Sequence, residues 1–317
     1  MGIKNYTILI SIVFIVLFMS ADQQNKDPFP GLVPAPADIE YLDSETKILG
    51  DIAIDYNADD TQLENIIGLA QSELKDIGYN TKLSESSDPR TIISVSVDES
   101  ISNTAESYDL DMIPDGITLR GSDHAGVFYG LQTLIQILET AKTENLSTLS
   151  SVSIKDSPRF KWRGMMLDVA RHMFPADFVK RYIDIIAEHK MNVFHWHLTE
   201  DQGWRMPIEK YPKLEKISAW RKETLIGHYT DKPRRFDGKR YGGFYTKEEI
   251  LDVIDYASKR SVTIVPEIEM PGHATAALSA YPELSCTGGP HEVETLWGIH
   301  KEVYCAGNEE TFVFLEN

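Results

Sequence analysis

The sequence predicts an α/β chain in two parts: an N-terminal α+β domain, then a (β/α)8 TIM barrel of which about the first three βα units are present. Three observations carry this reading. From Arg159 the pattern becomes strand, helix, strand, helix, with near-continuous apolar strands at "RGMMLDVA", "MNVFHWHL" and "VTIVPEIEM", as in strands buried on both faces of a parallel sheet. Charged residues gather at the carboxyl end of each strand: Asp168, Arg171 and His172, then Glu200 and Asp201, then Glu267, Glu269 and His273. Before Arg159 the elements follow an α+β order and carry little polar chemistry. Successive βα units suit a doubly wound sheet or a barrel. In a barrel the strand-end charges converge on one mouth, where such folds place their active sites.

The elements follow in order. Residues 1–21 carry Lys4, an apolar run from Thr7 to Met19 and small residues at Ser20 and Ala21, the pattern of a secretory signal peptide and too short for a comfortable membrane span; an uncleaved anchor is the alternative. The α+β domain, 22–155, opens on the proline-rich "KDPFPGLVPAPADIE", a linker or extended strand. A helix begins at Thr61 with a capping box to Glu64, buries Leu63, Ile66, Ile67, Ala70, Leu74 and Ile77, and stops at Gly78. "TIISVSVDE" alternates as a strand, "YDLDMIPDGITLRG" is two strands around Pro114-Asp115-Gly116, and Leu131, Leu134, Ile135 and Leu138 mark a second helix. In the barrel part, 156–317, the helix after Pro175 repeats Phe178, Val179, Tyr182, Ile183 and Ile186. A capping box at Thr246 and Glu249 opens another with Ile250, Val253, Ile254 and Ala257 inside. A full barrel needs about 250 residues, whereas about 160 follow Arg159, so the barrel is expected to be incomplete.

A net charge of −18 disfavours nucleic acid and anionic membranes as partners, because both would be repelled without a compensating basic face. The basic stretch "DKPRRFDGKR" reads as a solvated loop. Cys286 and Cys305 are the two cysteines; in an exported protein an even count favours a disulfide, with two free buried thiols as the alternative.

"HWHLTEDQGWR", His195 to Arg205, concentrates the polar chemistry. At the strand period His195, His197 and Thr199 share one face and Trp196, Leu198 and Glu200 the other. Three readings stay open on residue types alone. His195 and His197 could supply half of a metal site. The carboxylates, Arg163 and the indoles of Trp196, Trp204 and Trp220 could serve a sugar hydrolase, which needs acid and base groups, hydroxyl-gripping donors and aromatic faces. The histidines could instead be satisfied by barrel carboxylates, and Arg163 by an ion pair with Asp168 or Glu267.

The stretches "FKWRGMMLDVARHMFP", "MNVFHWHLTEDQGWRMPIEKYPKL", "YGGFYTKEEI", "VPEIEMPGHA" and "YPEL" follow one another as in family 20 glycoside hydrolases, the β-N-acetylhexosaminidases. The preceding "ESYDLDMIPDGITLRG" and "GVFYGLQTLIQIL" resemble the α+β domain before their barrel. The resemblance runs from about Pro34 to the last residue. It implies removal of terminal β-linked N-acetylglucosamine or N-acetylgalactosamine from oligosaccharides with retention, the substrate's own 2-acetamido oxygen acting as nucleophile, without metal or cofactor. By matching motifs, Arg163 would hold sugar hydroxyls, and Asp201 and His273 would form a supporting pair for the general acid. Asp168, His195 and His197 would be scaffold of the mouth. The family's general-acid Glu and its partner Asp come from a Gly-Asp-Glu motif on the fourth strand, beyond residue 317. Neither Glu267 nor Glu269 is expected to replace them, so the 317-residue chain is expected to be inactive alone and, with an unpaired sheet edge, prone to aggregate. A non-catalytic hexosamine-binding remnant and a metal-dependent hydrolase using His195 and His197 are the competing expectations. Oligomeric state is not legible.

Overall fold

The computed structural model describes residues 31–82 and 90–317; the signal-peptide assignment falls outside them. The chain divides into two compact units, with the division at Ser157/Pro158 and with Asp60–Ile66 grouped with the second.

In the first unit, β1 (Asp38–Lys47), β2 (Asp51–Asp55), α1 (Thr61–Asp76), β3 (Asn80–Lys82), β4 (Thr91–Val97), β5 (Tyr108–Ile113), β6 (Gly116–Gly121), α2 (His124–Thr143) and β7 (Thr148–Asp156) follow along the chain. The sheet order is β1-β7-β5-β6-β4-β2-β3. β4 is parallel to β2 and β6, whereas β5 and β6 form an antiparallel hairpin that closes at Ile113 and Gly116. Period-2 alternation buries Ile93 and Val95 of β4 and leaves Ile92 exposed. Leu131, Leu134 and Leu138 of α2 are buried.

The start of α1 differs from the sequence expectation. Asp60, not Thr61, supplies the cap: its Oδ1 accepts from the backbone N–H of Gln62 (3.1 Å) and Leu63 (3.0 Å). An aspartate one residue earlier reaches the same unpaired amides as a threonine would, and brings negative charge to the positive end of the helix dipole. The stop is as expected. Gly78 has φ +91°, a left-handed conformation favouring glycine, and its N–H and that of Tyr79 bond back to Lys75 and Leu74 carbonyls.

The second unit contains β8 (Gly164–Asp168), α3 (Ala176–Glu188), β9 (Val193–His197), α4 (Lys247–Ser258), β10 (Thr263–Glu267), α5 (Thr275–Ala280) and α6 (Glu309–Leu315). β8, β9 and β10 form a parallel sheet in the order β10-β9-β8. Among the described residues this sheet is open, not a closed barrel. Only the central strand has the double-sided burial expected of all three: Phe194 and Trp196 on one face of β9 and Val193 and His197 on the other are buried, whereas Met165 and Met166 of β8 are exposed. The reason is position, since each edge strand has one neighbour. Beside β10 an apolar groove of about 590 Å³ is lined by Trp196, Leu198, Ile250, Ile254, Val262 and Ile264. Ile254 faces outward there, unlike Val253 and Ala257, which are buried. The α4 capping box is present, with Thr246 Oγ1 accepting from Glu249 N–H and Glu249 Oε2 from Thr246 N–H.

Between β9 and α4 lie short two-residue ladders, including a tight hairpin in which Thr199 pairs with Trp204 and Glu200 with Gly203. Cys286 and Cys305 are disulfide-bonded, closing a loop whose cross-link contributes about 3 kcal/mol in the chain-entropy model.

The cap geometry makes a discriminating prediction. Asp60→Ala should cost about 1 kcal/mol in urea unfolding, and Thr61→Ala should stay within about 0.5 kcal/mol. Equal losses from the two would return the cap to Thr61.

Candidate functional site at the carboxyl ends of the strands

Register aligns the polar strand ends. Asp168, His197 and Glu267 are partners across β8, β9 and β10, so three titratable side chains form one row at the edge where the strands stop. The period of two places His195 on the same face as His197. Glu267 Oε2 lies 2.6 Å from His195 Nε2 and closes on His197 Nδ1 as well. Burial alone would raise the Glu267 pKa, but the two imidazoles outweigh it and hold the carboxyl below its ordinary value.

Arg171 leaves the β8 end toward the same row. Asp168 Oδ1 accepts from the Ala170 and Arg171 amides at 2.9 and 3.1 Å, turning the chain back over the strand end. Arg171 Nη1 is 2.9 Å from Asp168 Oδ2 and 3.3 Å from His197 Nε2, and its Nη2 pairs with Glu200 Oε1.

The hairpin after β9 presents two buried carboxylates, and the turn after β10 brings His273 to them. His273 adopts a left-handed backbone at φ +52°, unusual for a residue other than glycine. Its Nδ1 is 3.0 Å from Glu200 and 3.3 Å from Asp201 Oδ2. Asp201 Oδ1 is already taken by the N–H of Thr275 at 3.0 Å and its hydroxyl at 2.7 Å. Burial raises the Glu200 pKa even with Arg171 opposing it. For His273, burial works to lower the pKa, but Glu200, Asp201 and Glu269 together hold it above the ordinary histidine value. With Nδ1 turned to the carboxylates, Nε2 occupies the other side of a ring that is 39% exposed. The arrangement can therefore hold a proton on an imidazole and present its second nitrogen at the mouth.

The sequence-predicted residues distribute unevenly. Asp201 and His273 come together, but the nearer carboxylate is Glu200, to which the sequence reading gave no role in the site. Arg163 does not join them. It precedes β8 at the amino end of the sheet, and its Nε and Nη1 donate to the carbonyls of Lys190 (2.7 Å) and Phe160 (2.8 Å). It holds the chain below the strands, and Arg171 is the guanidinium at the carboxyl row. Trp196 and Trp204 are buried; Trp196 packs on Phe194 and Tyr245, and Trp204 on Phe314, so these two indoles are core, not a sugar platform. His195, His197 and Glu267 are spaced so that they could hold a metal ion, although Glu267 Oε2 already accepts from both rings.

Arg205 had no role in the sequence reading. It is fully buried and donates to four carbonyls: Nε to Val169 (3.1 Å), Nη2 to Ala170 (2.5 Å), and Nη1 to Ala219 and Gly243 (both 2.8 Å). A Cβ at Gly203 would fall 2.3 Å from Nη2, so glycine there makes room for the guanidinium. Burial pushes the Arg205 pKa down to about 10, which leaves it charged at neutral pH. Arg205→Met should destabilise this unit by about 3–5 kcal/mol, the cost of stranding several buried acceptors. A loss under about 1 kcal/mol in chemical denaturation would contradict this assignment.

Comparisons with known proteins identify relatives of both units. The family model described as glycosyl hydrolase family 20, catalytic domain, matches residues 160–317, and that described as glycosyl hydrolase family 20, domain 2, matches residues 29–157. A β-hexosaminidase of Porphyromonas gingivalis is 37% identical over 295 residues, 90% of this chain and 36% of the relative. One of Vibrio furnissii is 38% identical over 260 residues, 80% of this chain and 39% of the relative. Among solved structures, a mutant Streptomyces plicatus β-hexosaminidase in complex with product (GlcNAc) superposes with TM-score 0.73 at 31% identity, covering 90% of this chain and 55% of that one. The chain thus spans between about a third and just over half of the length of these relatives. With an α+β domain followed by part of a TIM barrel, and both family models matched in order, the chain belongs to glycosyl hydrolase family 20.

Proposed function

We propose that the protein carrying this chain is an exported exo-β-N-acetylhexosaminidase that removes terminal β-linked N-acetylglucosamine or N-acetylgalactosamine from oligosaccharides by a substrate-assisted, retaining mechanism. The observation that carries the proposal is the acid–imidazole–acid arrangement of Glu200, His273 and Asp201 at the carboxyl row. A histidine whose Nδ1 faces carboxylates and whose pKa is raised is suited to hold a proton beside a further acid.

In this reading the 2-acetamido oxygen bonds to the anomeric carbon as its bond to the leaving oxygen breaks, and the general acid gives that oxygen its proton. Water then attacks the anomeric carbon, returns a proton to the carboxylate and opens the oxazolinium ring. His273, backed by Glu200 and Asp201, tunes the acid. The residues 1–317 contain no Gly-Asp-Glu sequence, so the acid and its partner are assigned to a part of the protein outside them. Arg171 takes the hydroxyl-binding role first expected of Arg163, because its guanidinium lies at the carboxyl row. The N-terminal apolar run and the disulfide support export to an oxidising compartment.

The test is hydrolysis of p-nitrophenyl N-acetyl-β-glucosaminide. The 317-residue chain alone should show no turnover; turnover would overturn the assignment of the acid elsewhere. In the longer enzyme, product released as the β anomer by NMR is expected, and inversion would refute the mechanism. There Arg171→Gln should lower kcat/KM roughly 10- to 100-fold, the equivalent of a charge-assisted hydrogen bond, while Arg163→Gln should reduce thermal stability and change kcat/KM less than about threefold.

A further inference from the structure

Asp201 poses a problem that His273 does not solve alone. It is fully buried, and its Oδ2 has no hydrogen-bond donor among the described residues. The single Nδ1 proton of His273 lies nearer Glu200, so giving it to Glu200 leaves a buried carboxylate oxygen without a partner, a costly state.

A second imidazole lies around the same oxygen. His300 Nε2 is 4.0 Å from Asp201 Oδ2 and 3.1 Å from the Leu296 carbonyl, while its Nδ1 is 3.5 Å from Glu294 Oε1. The side chain is 17% exposed. Its loop is fastened to the hairpin: Glu294 N–H donates to the Asp201 carbonyl (2.9 Å), and Gln202 Nε2 to the Leu296 carbonyl (2.8 Å). The Cys286–Cys305 disulfide and the Ser285–Tyr304 bridge close the same loop at its base. The loop thus sets the His300 ring between the Leu296 carbonyl and Asp201.

We propose that His300 is a positioning residue, held by the disulfide-closed loop so that its Nε2–H supports the Asp201 carboxylate from a different nitrogen than His273 and thereby sets how firmly His273 keeps its proton. Calling it a positioning residue for glycoside hydrolysis rests on the function proposed above; the electrostatic coupling does not. The charged groups that face His273 are Glu200, Asp201 and Glu269, with Arg171 acting through Glu200, and those that face His300 are Asp201 and Glu294. With the His300 donor removed, more of the Asp201 charge falls on His273.

The experiment is a substrate-free NMR titration of the His273 ring in the 317-residue chain. His300→Leu should raise its midpoint by roughly half a pH unit, and His300→Gln, which keeps an N–H donor, should bring it back toward the wild-type value. An unchanged midpoint in the Leu variant, or equal rises in both, would overturn the proposal, whereas a loss of melting temperature alone is what a purely structural histidine would give. The wild type supplies an independent check through 15N shifts: His300 is expected to carry its proton on Nε2 at neutral pH, and a bare Nε2 would refute the role even if the Leu variant did not fold. Because no substrate is present, failure of the hexosaminidase reading would appear in the hydrolysis assay and leave this titration unaffected.

Discussion

The second unit depends on one buried guanidinium. Arg205 has carbonyl oxygens, not a carboxylate, as its direct partners, and these come from three separate segments: Val169 and Ala170 after β8, Ala219, and Gly243 before α4. Those carbonyls belong to backbone that no regular ladder can satisfy, because the chain there is leaving strands or connecting short turns. A charged five-donor fork satisfies several at once. The consequence for the site is direct, since Ala170 precedes Arg171, and fixing the Ala170 carbonyl fixes where the mouth arginine emerges.

Around that anchor the mouth alternates sign. Glu267 lies between His195 and His197, Arg171 between Asp168 and Glu200, and His273 between Glu200 and Asp201. Each buried or half-buried carboxylate thus has a cation or an imidazole close by, which is how a chain of net charge −18 can gather these four acids at one sheet edge. The alternation is unequal in its effects. Glu267, with two imidazoles, is held below its ordinary pKa, whereas Glu200 is raised because burial exceeds what Arg171 returns. Neighbouring carboxylates in different environments are pushed apart in proton affinity, the condition for assigning them different tasks.

Much of this was legible in the sequence, and the failures have physical causes. Strand and helix positions followed from hydrophobic period, and the gathering of charge at the carboxyl ends followed from the βα order. Arg163 and Arg171 flank the same five-residue strand; the matching motif pointed to Arg163, whereas strand direction puts Arg171 at the carboxyl end, where parallel strands gather their functional side chains. Glu200 and Asp201 are adjacent in a tight hairpin, and the residue that chooses between them lies more than 70 positions later. Arg205 gave no signal, because carbonyl partners leave no residue-type signature. The apolar run of β8 predicted burial on both faces, yet Met165 and Met166 are exposed, since an edge strand keeps the composition of a sheet interior without the neighbour that would cover it.

That contrast bears on where function can reside in this chain. β9 is buried and has a neighbour on each side, and the polar groups that follow from its end, His197, Glu200 and Asp201, are the least exposed of the site. Those fixed to β8 and β10, Asp168 and Glu267, keep about 30% side-chain exposure. The supporting half of the proposed chemistry is therefore built on the best-packed strand, which is where a charge network of this density gains most from rigidity. The groups that would meet a sugar hydroxyl or a further acid are the partly exposed ones, Arg171 and the far side of His273. A rigid interior row that fixes the orientation of two accessible donors is a division of labour set by burial alone.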